Sequence, residues 1–231
     1  MPSLYFRGLI LLTCSLAVIG CASLQTPEQA NFAHCRAVGQ ASKAENYELV
    51  LQQANLCLEK NQLSGKMQSM VYWLKSDAYA SLKRYPEAIA AKEKSIEVSP
   101  TLEPRAVLDL SLLYRQAGNP QKALQLVQSN MDAGLGEAGK GAGFNMPTYY
   151  HLGLSLNDLG QYREAAEAFS AGLQKQPDFA WAYYHRGEAY EHLGLADDAH
   201  SDFTQFAKRV DQKYVEAEQK TKLAEYKIAL P

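Results

Sequence analysis

Apolar and small residues recur along most of this chain at the three- and four-residue spacing of amphipathic helices. The helical segments are short, and tight turns that contain Gly, or Asn followed by Pro, divide them into pairs. The pattern therefore predicts an all-α protein built from successive helix–turn–helix units.

One arrangement of aromatic and small residues occurs twice between Met146 and Asp211. The first copy contains Tyr149, Leu152, Gly153, Gly160, Ala165 and Phe169, and the second contains Tyr183, Arg186, Gly187, Gly194, Ala199 and Phe203. Each residue of the second copy lies 34 positions after its counterpart. A repeat of this length is typical of stacked helix pairs, and its small residues mark places where two helices approach closely.

This repeat resembles the tetratricopeptide repeat, whose unit reads W-x2-L-G-x2-Y, then A-x3-F, then P. The first copy supplies Tyr149-x2-Leu152-Gly153-x2-Leu156, Ala165-x3-Phe169 and Pro177, and the second supplies Tyr183-x2-Arg186-Gly187-x2-Tyr190 and Ala199-x3-Phe203, with Asp211 in place of the proline. The resemblance implies a right-handed superhelical solenoid closed by a C-terminal capping helix.

Fainter units precede the two clear copies. The predicted organisation is a signal peptide (1–20), a tether (21–30), a divergent repeat (31–64), repeats at 69–102, 104–137, 146–179 and 180–213, a Gly-rich insertion (138–145) and a capping helix (214–231). Lys92 stands where the family has a large apolar residue, which predicts weaker packing of its helix. A membrane-surface helix is the alternative for 214–231, although its charges are mixed in sign.

The amino terminus has the features of a bacterial export signal. Arg7 is the only charge in the first 27 residues, and it precedes an apolar run over 9–19 that is too short to span a bilayer. The following sequence, Val18-Ile19-Gly20-Cys21-Ala22, is similar to the lipobox of bacterial lipoproteins. The resemblance implies cleavage before Cys21, lipid on its sulfur, and a place at the periplasmic side of the outer membrane. A soluble periplasmic protein and an uncleaved anchor are the alternatives.

Two of the four cysteines remain once Cys14 is removed with the signal and Cys21 carries lipid. Cys35 and Cys57 would then lie in an oxidising compartment, on two helices that turn near 43–47. We expect them to form a disulfide, and two small buried core residues are the alternative.

Composition and motifs disfavour several classes of function. The mature chain has 22 basic and 25 acidic residues, a net charge of -3, which is unlike a nucleic-acid-binding surface. Gly134-x-Gly136-x2-Gly139 and Gly134-x4-Gly139-Lys140 match nucleotide-binding strings in part, but no strand is predicted to lead into a helix there, so a flexible loop is favoured. The five histidines form no H-E-x-x-H motif, so neither a metal site nor a cofactor is predicted.

The first helix of each pair lines the concave groove in this family, and the resemblance assigns a set of residues to that groove. They are Trp73, Asp77, Leu108, Arg115, Tyr150, His151, Leu154, Trp181, Tyr184, His185 and Glu188. Exposed Trp and Tyr among a few charges are typical of protein-binding hot spots. For any single residue, packing between repeats is an equal alternative.

The predicted function is a non-catalytic adaptor that presents its groove to another protein of the cell envelope. In layout the chain is similar to the pilotins of type IV pilus secretins and to NlpI-type adaptors of cell-wall hydrolases. The alternative is a periplasmic enzyme, or a peptidoglycan-binding protein that uses Trp73, Trp181 and the tyrosines.

Overall fold

The computed structural model of the protein describes residues 27–59, 63–101, 103–136, 139–140 and 143–231. The predicted signal peptide and Cys21 lie outside the described residues. Within them the helices form successive pairs: α1 (Pro27–Lys43) with α2 (Tyr47–Glu59), α3 (Gly65–Ser81) with α4 (Tyr85–Val98), α5 (Pro104–Gln116) with α6 (Pro120–Asp132), α7 (Met146–Asp158) with α8 (Tyr162–Lys175), and α9 (Ala180–His192) with α10 (Ala196–Arg209). A final helix, α11 (Ala217–Glu225), follows a short 3₁₀ helix at Gln212–Tyr214. The predicted all-α repeat solenoid is confirmed.

All five pairs turn in the same way. The second residue after each first helix has a positive φ: Glu45, Lys83, Gly118, Gly160 and Gly194. The next amide then donates a hydrogen bond to a carbonyl five residues back, as in Asn46 to Ala41 at 3.0 Å. This is a left-handed helix C-cap, which glycine adopts without steric cost. The divergent first pair therefore has the same backbone geometry as the clear repeats.

The repeated glycines make room for an aromatic ring from the second helix of the same pair. A Cβ at Gly153 would lie 2.6 Å from Cε1 of Phe169, and one at Gly187 would lie 2.9 Å from Cε1 of Phe203. Both phenylalanines are fully buried. The 34-residue pattern thus records a recurring close contact between the paired helices.

Arg186 occupies the position of Leu152 in the second copy, and the structure pairs its charge. Its guanidinium donates two hydrogen bonds to Asp202, at 2.7 and 2.8 Å, and one to Ser170 at 2.8 Å. Asp202 is buried, so the carboxylate and the guanidinium satisfy each other where an aliphatic contact is otherwise expected.

The first pair is joined by a disulfide between Cys35 and Cys57, the two cysteines that the sequence pairs. Their Cα atoms lie 4.9 Å apart, because the turn after α1 brings α2 back alongside it. The tether expected over 21–30 needs a correction at its end. Helix α1 already begins at Pro27, a residue type that favours the first helical turn.

Helix α11 covers the far end of the stack. Its Leu223 is buried against the cluster that contains Phe203 and Phe206. The Glu191 carboxylate accepts hydrogen bonds from Lys222 at 3.0 Å and from the Tyr226 hydroxyl at 3.2 Å. The helical part of the cap is shorter than predicted, since Tyr214 lies in the 3₁₀ helix with 59% of its surface exposed.

The Gly-rich segment that begins at Gly134 contains a pair of short strands that the sequence did not predict. Strand β1 (Leu135–Gly136) pairs antiparallel with β2 (Gly139–Lys140). Gly134 and Gly143 adopt positive φ on either side, which lets the chain bend into and out of this hairpin. Both nucleotide-binding strings overlap these two strands, whereas a phosphate-binding string forms the loop between a strand and a helix N-terminus.

Buried apolar side chains gather in three clusters. One spans α1 to α3, another extends from α6 to α9, and a third joins α9, α10 and the C-terminal segment. Between the first two clusters, α4 makes polar contacts beside its buried Ala88 and Ala91: Ser76 of α3 donates to the Ala88 carbonyl at 2.8 Å, and Ser95 of α4 donates to the Ser69 carbonyl at 2.7 Å. We call these contacts of α3, α4 and α5, around Ser76, Ser95 and Lys92, the polar junction. The polar junction therefore interrupts the apolar core.

Candidate functional site

The first helices of the pairs form one layer of the solenoid, and this layer has an opening. Helix α1 packs against α3, α5 against α7, and α7 against α9. In the described part of the chain, α3 and α5 are the adjacent first helices without comparable packing. The opening widens into a pocket of about 820 Å³, which we call the α3–α5 pocket.

Three helices supply the walls of the α3–α5 pocket. They are the first half of α3, the second half of α4 with the residues after it, and the first turns of α5. The lining comprises Ser64, Lys66, Met67, Ser69, Met70, Trp73, Lys92, Ser95, Ser99, Pro100, Thr101, Glu103, Arg105, Ala106 and Asp109. A pocket of this size suits a few side chains of a ligand.

Two large apolar side chains of α3 are exposed at this pocket. Met70 has 50% of its surface exposed and Trp73 has 43%. They lie three residues apart on one helix, so they share a face. Leu112 of α5, at 36%, is a further exposed apolar residue on a first helix. Exposed apolar side chains grouped at a pocket mark an interaction surface more often than a scattered set does.

Three charged groups meet near Trp73, at one end of the pocket: Lys92 and Asp109 line the pocket, and Asp77 lies next to its lining. Lys92 is buried, with 1% of its surface exposed. Its ammonium lies 3.3 Å from an Asp109 oxygen and 3.9 Å from an Asp77 oxygen. It also lies 5.6 Å from the centroid of the Trp73 ring, within the range of a cation–π contact. Asp77 and Asp109 remain partly exposed, at 51% and 34% of their side chains. This group, the Lys92 triad, carries a formal charge of -1.

The repeat pattern explains why a lysine is buried there. Lys92 and Ser76 occupy the positions that Phe169 and Gly153 occupy in the fourth pair. A phenyl ring would fill the space under the first helix, whereas a lysine extends its ammonium beyond it toward α5. The exchange leaves room for the pocket and places a cation between two carboxylates.

The Asp77 carboxyl has a raised pKa, because it is partly removed from water and lies near Asp109, whereas Lys92 opposes the increase. A carboxyl with a raised pKa in the folded state stabilises the fold only when it is protonated. That contribution is present below its ordinary pKa and is lost as the pH rises through the raised value. At neutral pH Asp77 therefore disfavours the folded state slightly.

We expect the Asp77→Asn variant to melt at the same temperature as the wild type, or slightly higher, at pH 7. At about pH 3 the difference should vanish, because both side chains are then neutral. Thermal unfolding at the two pH values measures this, with Asp197→Asn, an exposed site on α10, as the matched control. A variant that is clearly less stable than the wild type at pH 7 would show that Asp77 supports the fold.

The groove residues predicted on α7 and α9 form an aromatic cluster that is largely covered. Tyr184 is 1% exposed and Leu154 is 6% exposed, so the expectation that they present free surface is corrected. Tyr184 lies 5.0 Å from Phe206 and 5.6 Å from Phe203, ring centroid to centroid, in the cluster that Leu223 completes. Burial raises the pKa of its phenol, as it does for Tyr150.

Tyr150, Trp181 and His185 pack against one another in this layer. The Tyr150 ring lies 5.0 Å from Phe179 and 5.8 Å from His185, and Trp181 stacks on His185 at 6.3 Å. Tyr150 of α7 thus contacts His185 of α9, whose Nδ1 lies 2.7 Å from a Glu188 oxygen. These side chains chiefly hold α7 against α9.

The remaining predicted groove residues link neighbouring first helices. Arg115 of α5 donates hydrogen bonds to Asp158 of α7 at 2.6 and 3.0 Å, and only 15% of its side chain is exposed. His151 lies 3.4 Å from the Ser111 hydroxyl, and Leu108 is buried. Trp73 and Asp77 are therefore the two most exposed of the predicted groove residues.

Sequence reasoning missed Met70, Lys92, Arg105 and Asp109 as parts of a site. The unusual lysine at a phenylalanine position was a usable signal for Lys92. Its partner Asp109 lies 17 residues away on the next pair, so this contact could only be seen in three dimensions.

No cluster of three or more His, Cys, Asp or Glu side chains suited to a metal occurs among the residues that the structure describes. Over that same portion of the chain, every helix is too short or too polar to cross a bilayer.

Two stretches of the chain match models of a known repeat. Residues 71–102 match the model described as "Tetratricopeptide repeat", and residues 153–194 match the model described as "TPR repeat". No curated protein matches the chain in sequence. The matched stretches begin within α3 and within α7 and include α4, α8 and α9, with part of the wall of the α3–α5 pocket.

Solved structures of similar shape cover most of the chain. The crystal structure of MamA protein has a TM-score of 0.62 at 19% identity, with 88% of this chain and 99% of that chain covered. MamA 41-end from Desulfovibrio magneticus RS-1 has a TM-score of 0.62 at 16% identity, with 77% and 93% covered. YrrB, described as a TPR protein with an unusual peptide-binding site, has a TM-score of 0.59 at 17% identity, with 83% and 90% covered.

The fold and the pocket define a helical-repeat solenoid whose first helices present an open surface. With the two family matches, the statement becomes more specific: the chain contains tetratricopeptide repeats, at residues 71–102 and 153–194.

Proposed function

We propose that this protein is a non-catalytic adaptor that binds a segment of another cell-envelope protein in the α3–α5 pocket. The observation that carries the proposal is the pairing of exposed Met70 and Trp73 with a pocket of about 820 Å³. Tryptophan is one of the residue types that are enriched at binding hot spots. The resemblance of the fold to YrrB, a protein described by its peptide-binding site, supports a peptide as the ligand.

We also propose that Cys21 anchors the adaptor in the bacterial outer membrane, facing the periplasm. The lipobox-like sequence before Cys21 supports this location. The Cys35–Cys57 disulfide supports it independently, because such bonds persist in exported proteins and are rare in the cytosol. A lipid anchor would hold the pocket near envelope assemblies such as secretins or cell-wall hydrolases, which the pilotin-like and NlpI-like layout suggests as partners.

Photo-crosslinking tests the pocket directly. We expect a photoreactive residue at position 70 to form a discrete adduct with one envelope protein in living cells, and Trp73→Ala to remove that adduct. Loss of a central tryptophan contact commonly weakens binding by about 2 kcal/mol, or roughly thirtyfold. The same photoreactive residue in place of Tyr214, which is 59% exposed on the 3₁₀ helix, is the matched control.

Adducts that are identical from positions 70 and 214, or that persist with Trp73→Ala, would contradict the pocket assignment.

A glycan-binding protein of the periplasm is the alternative function, and it predicts a different result for the purified protein. If the protein bound glycans, soluble peptidoglycan fragments would quench the fluorescence of exposed Trp73. For a peptide-binding adaptor we expect no quenching.

Labelling with radioactive palmitate tests the anchor. We expect the wild type to incorporate label and to remain with outer membranes, and Cys21→Ser to do neither, because its side chain lacks the sulfur that would carry the lipid. Cys14→Ser, within the predicted signal, is the control and should keep the label. Equal labelling of the wild type and Cys21→Ser would overturn the proposed anchor.

A further inference from the structure

We propose that the Lys92 triad is a subsite for a basic side chain, so that the adaptor binds partner segments in which Lys or Arg neighbours an apolar residue. This inference rests on the proposed function, because it names the chemistry of the ligand in the same pocket.

The charges of the triad do not cancel. Lys92 lies within 3.9 Å of both Asp77 and Asp109, so one buried cation faces two carboxylates. The ammonium itself is inaccessible, whereas half of the Asp77 side chain and a third of that of Asp109 are open to solvent. What a ligand meets at this end of the pocket is therefore excess negative charge, and a cation is the complementary group.

Trp73 adds a second reason for a cation. Its ring already lies 5.6 Å from the Lys92 ammonium, and 43% of the residue remains exposed. An exposed indole beside carboxylates offers both a cation–π contact and an ion pair to the same guanidinium or ammonium. Met70, one helical turn before Trp73, supplies an apolar surface for the neighbouring ligand side chain.

The other charges of the pocket set the direction of the ligand. Lys66 and Arg105 lie in the first turns of α3 and α5, whereas Trp73 and Asp109 lie further along the same two helices. Helix N-termini add positive potential there. A basic side chain is therefore favoured at the triad and disfavoured at the helix N-termini, which gives the bound segment a defined polarity.

The stability of the fold does not explain why position 77 holds an acidic residue. The site is partly withdrawn from water and close to a like charge, and its carboxyl is unfavourable in the folded state at neutral pH. If Asp77 were neutral, Lys92 would still have Asp109 as a partner. A charge that disfavours folding at a pocket is a candidate for a binding role.

A library of random dodecapeptides displayed on phage provides the test. The purified full chain in detergent is the bait, in parallel with Trp73→Ala, Asp77→Asn and Asp197→Asn. We expect the wild type and Asp197→Asn to select peptides with Lys or Arg beside an apolar residue, and Asp77→Asn to lose the preference for the basic residue. The affinity of a selected synthetic peptide should fall about fivefold in Asp77→Asn, as for a partly exposed ion pair, and the wild-type affinity should fall with added salt.

The outcomes separate this inference from the proposed function. Selection that requires Trp73 but shows no basic preference would overturn the basic subsite and leave the peptide-binding pocket standing. Selection that ignores Trp73 would overturn both. Thermal unfolding of each bait keeps the comparison valid, since Asp77→Asn is expected to be at least as stable as the wild type.

Discussion

Replacing Cys35 and Cys57 together by alanine should lower the free energy of unfolding by about 3 kcal/mol, the value expected for a bridge that closes a loop of this size. The two cysteines are separated by 22 positions, and Cys57 is completely buried. Among the described residues, the α1–α2 pair packs chiefly on α3, whereas an internal pair has neighbours on both sides. A covalent link is therefore most useful at this end of the stack.

Denaturant unfolding with and without a reductant measures the contribution of the disulfide. The wild type should lose stability when reduced, and the double alanine variant should be indifferent to the reductant, which makes it the internal control. An identical transition for oxidised and reduced wild type would show that the bridge contributes nothing to stability.

Gly153→Val should destabilise the fold by about 2–3 kcal/mol, the cost of forcing extra methyl groups into a packed core. The new Cβ would lie 2.6 Å from a Phe169 ring that is fully buried, so the ring cannot move aside into solvent. Either α7 moves away from α8 or the phenyl ring leaves its place, and both changes disturb the core that extends to α9.

Gly39→Val is the matched control for this substitution. Gly39 also lies within a helix, but nothing lies within 4 Å of a Cβ built there. Glycine and valine are both poor helix formers, so the change at position 39 should be nearly neutral. The midpoint of chemical denaturation compares the two variants, and equal midpoints would mean that the Gly153–Phe169 contact does not limit the packing.

The repeat positions were predictable because they record contacts within a pair. Gly153 and Phe169 touch across one turn, and any chain that repeats this contact must repeat its spacing. The exposure of the groove was not predictable in the same way. Whether Tyr184 faces solvent depends on Leu223, a residue of the capping segment with its own irregular path.

The location of the open surface was missed for a related reason. The family pattern treats the concave side of every repeat alike, so it assigned the aromatic residues of α7 and α9 to the groove. The observed opening arises where the pattern fails, at Ser76 and Lys92, and its chemistry depends on Asp109 of the next pair. Departures from a repeat consensus thus indicated the site better than agreement with it. The hairpin in the Gly-rich segment was missed because backbone pairing over two residues leaves no side-chain periodicity to recognise.

The polar junction has a mechanical consequence. An array of helix pairs is stiff where apolar side chains interlock between neighbours, and it bends where the neighbours meet through polar groups that can exchange partners with water. We expect an articulation of this kind where Lys92 of α4 meets Asp109 of α5, and both residues line the α3–α5 pocket. Bending of the array would therefore change the width of the pocket. The curvature of the solenoid and the affinity for a ligand would then be coupled.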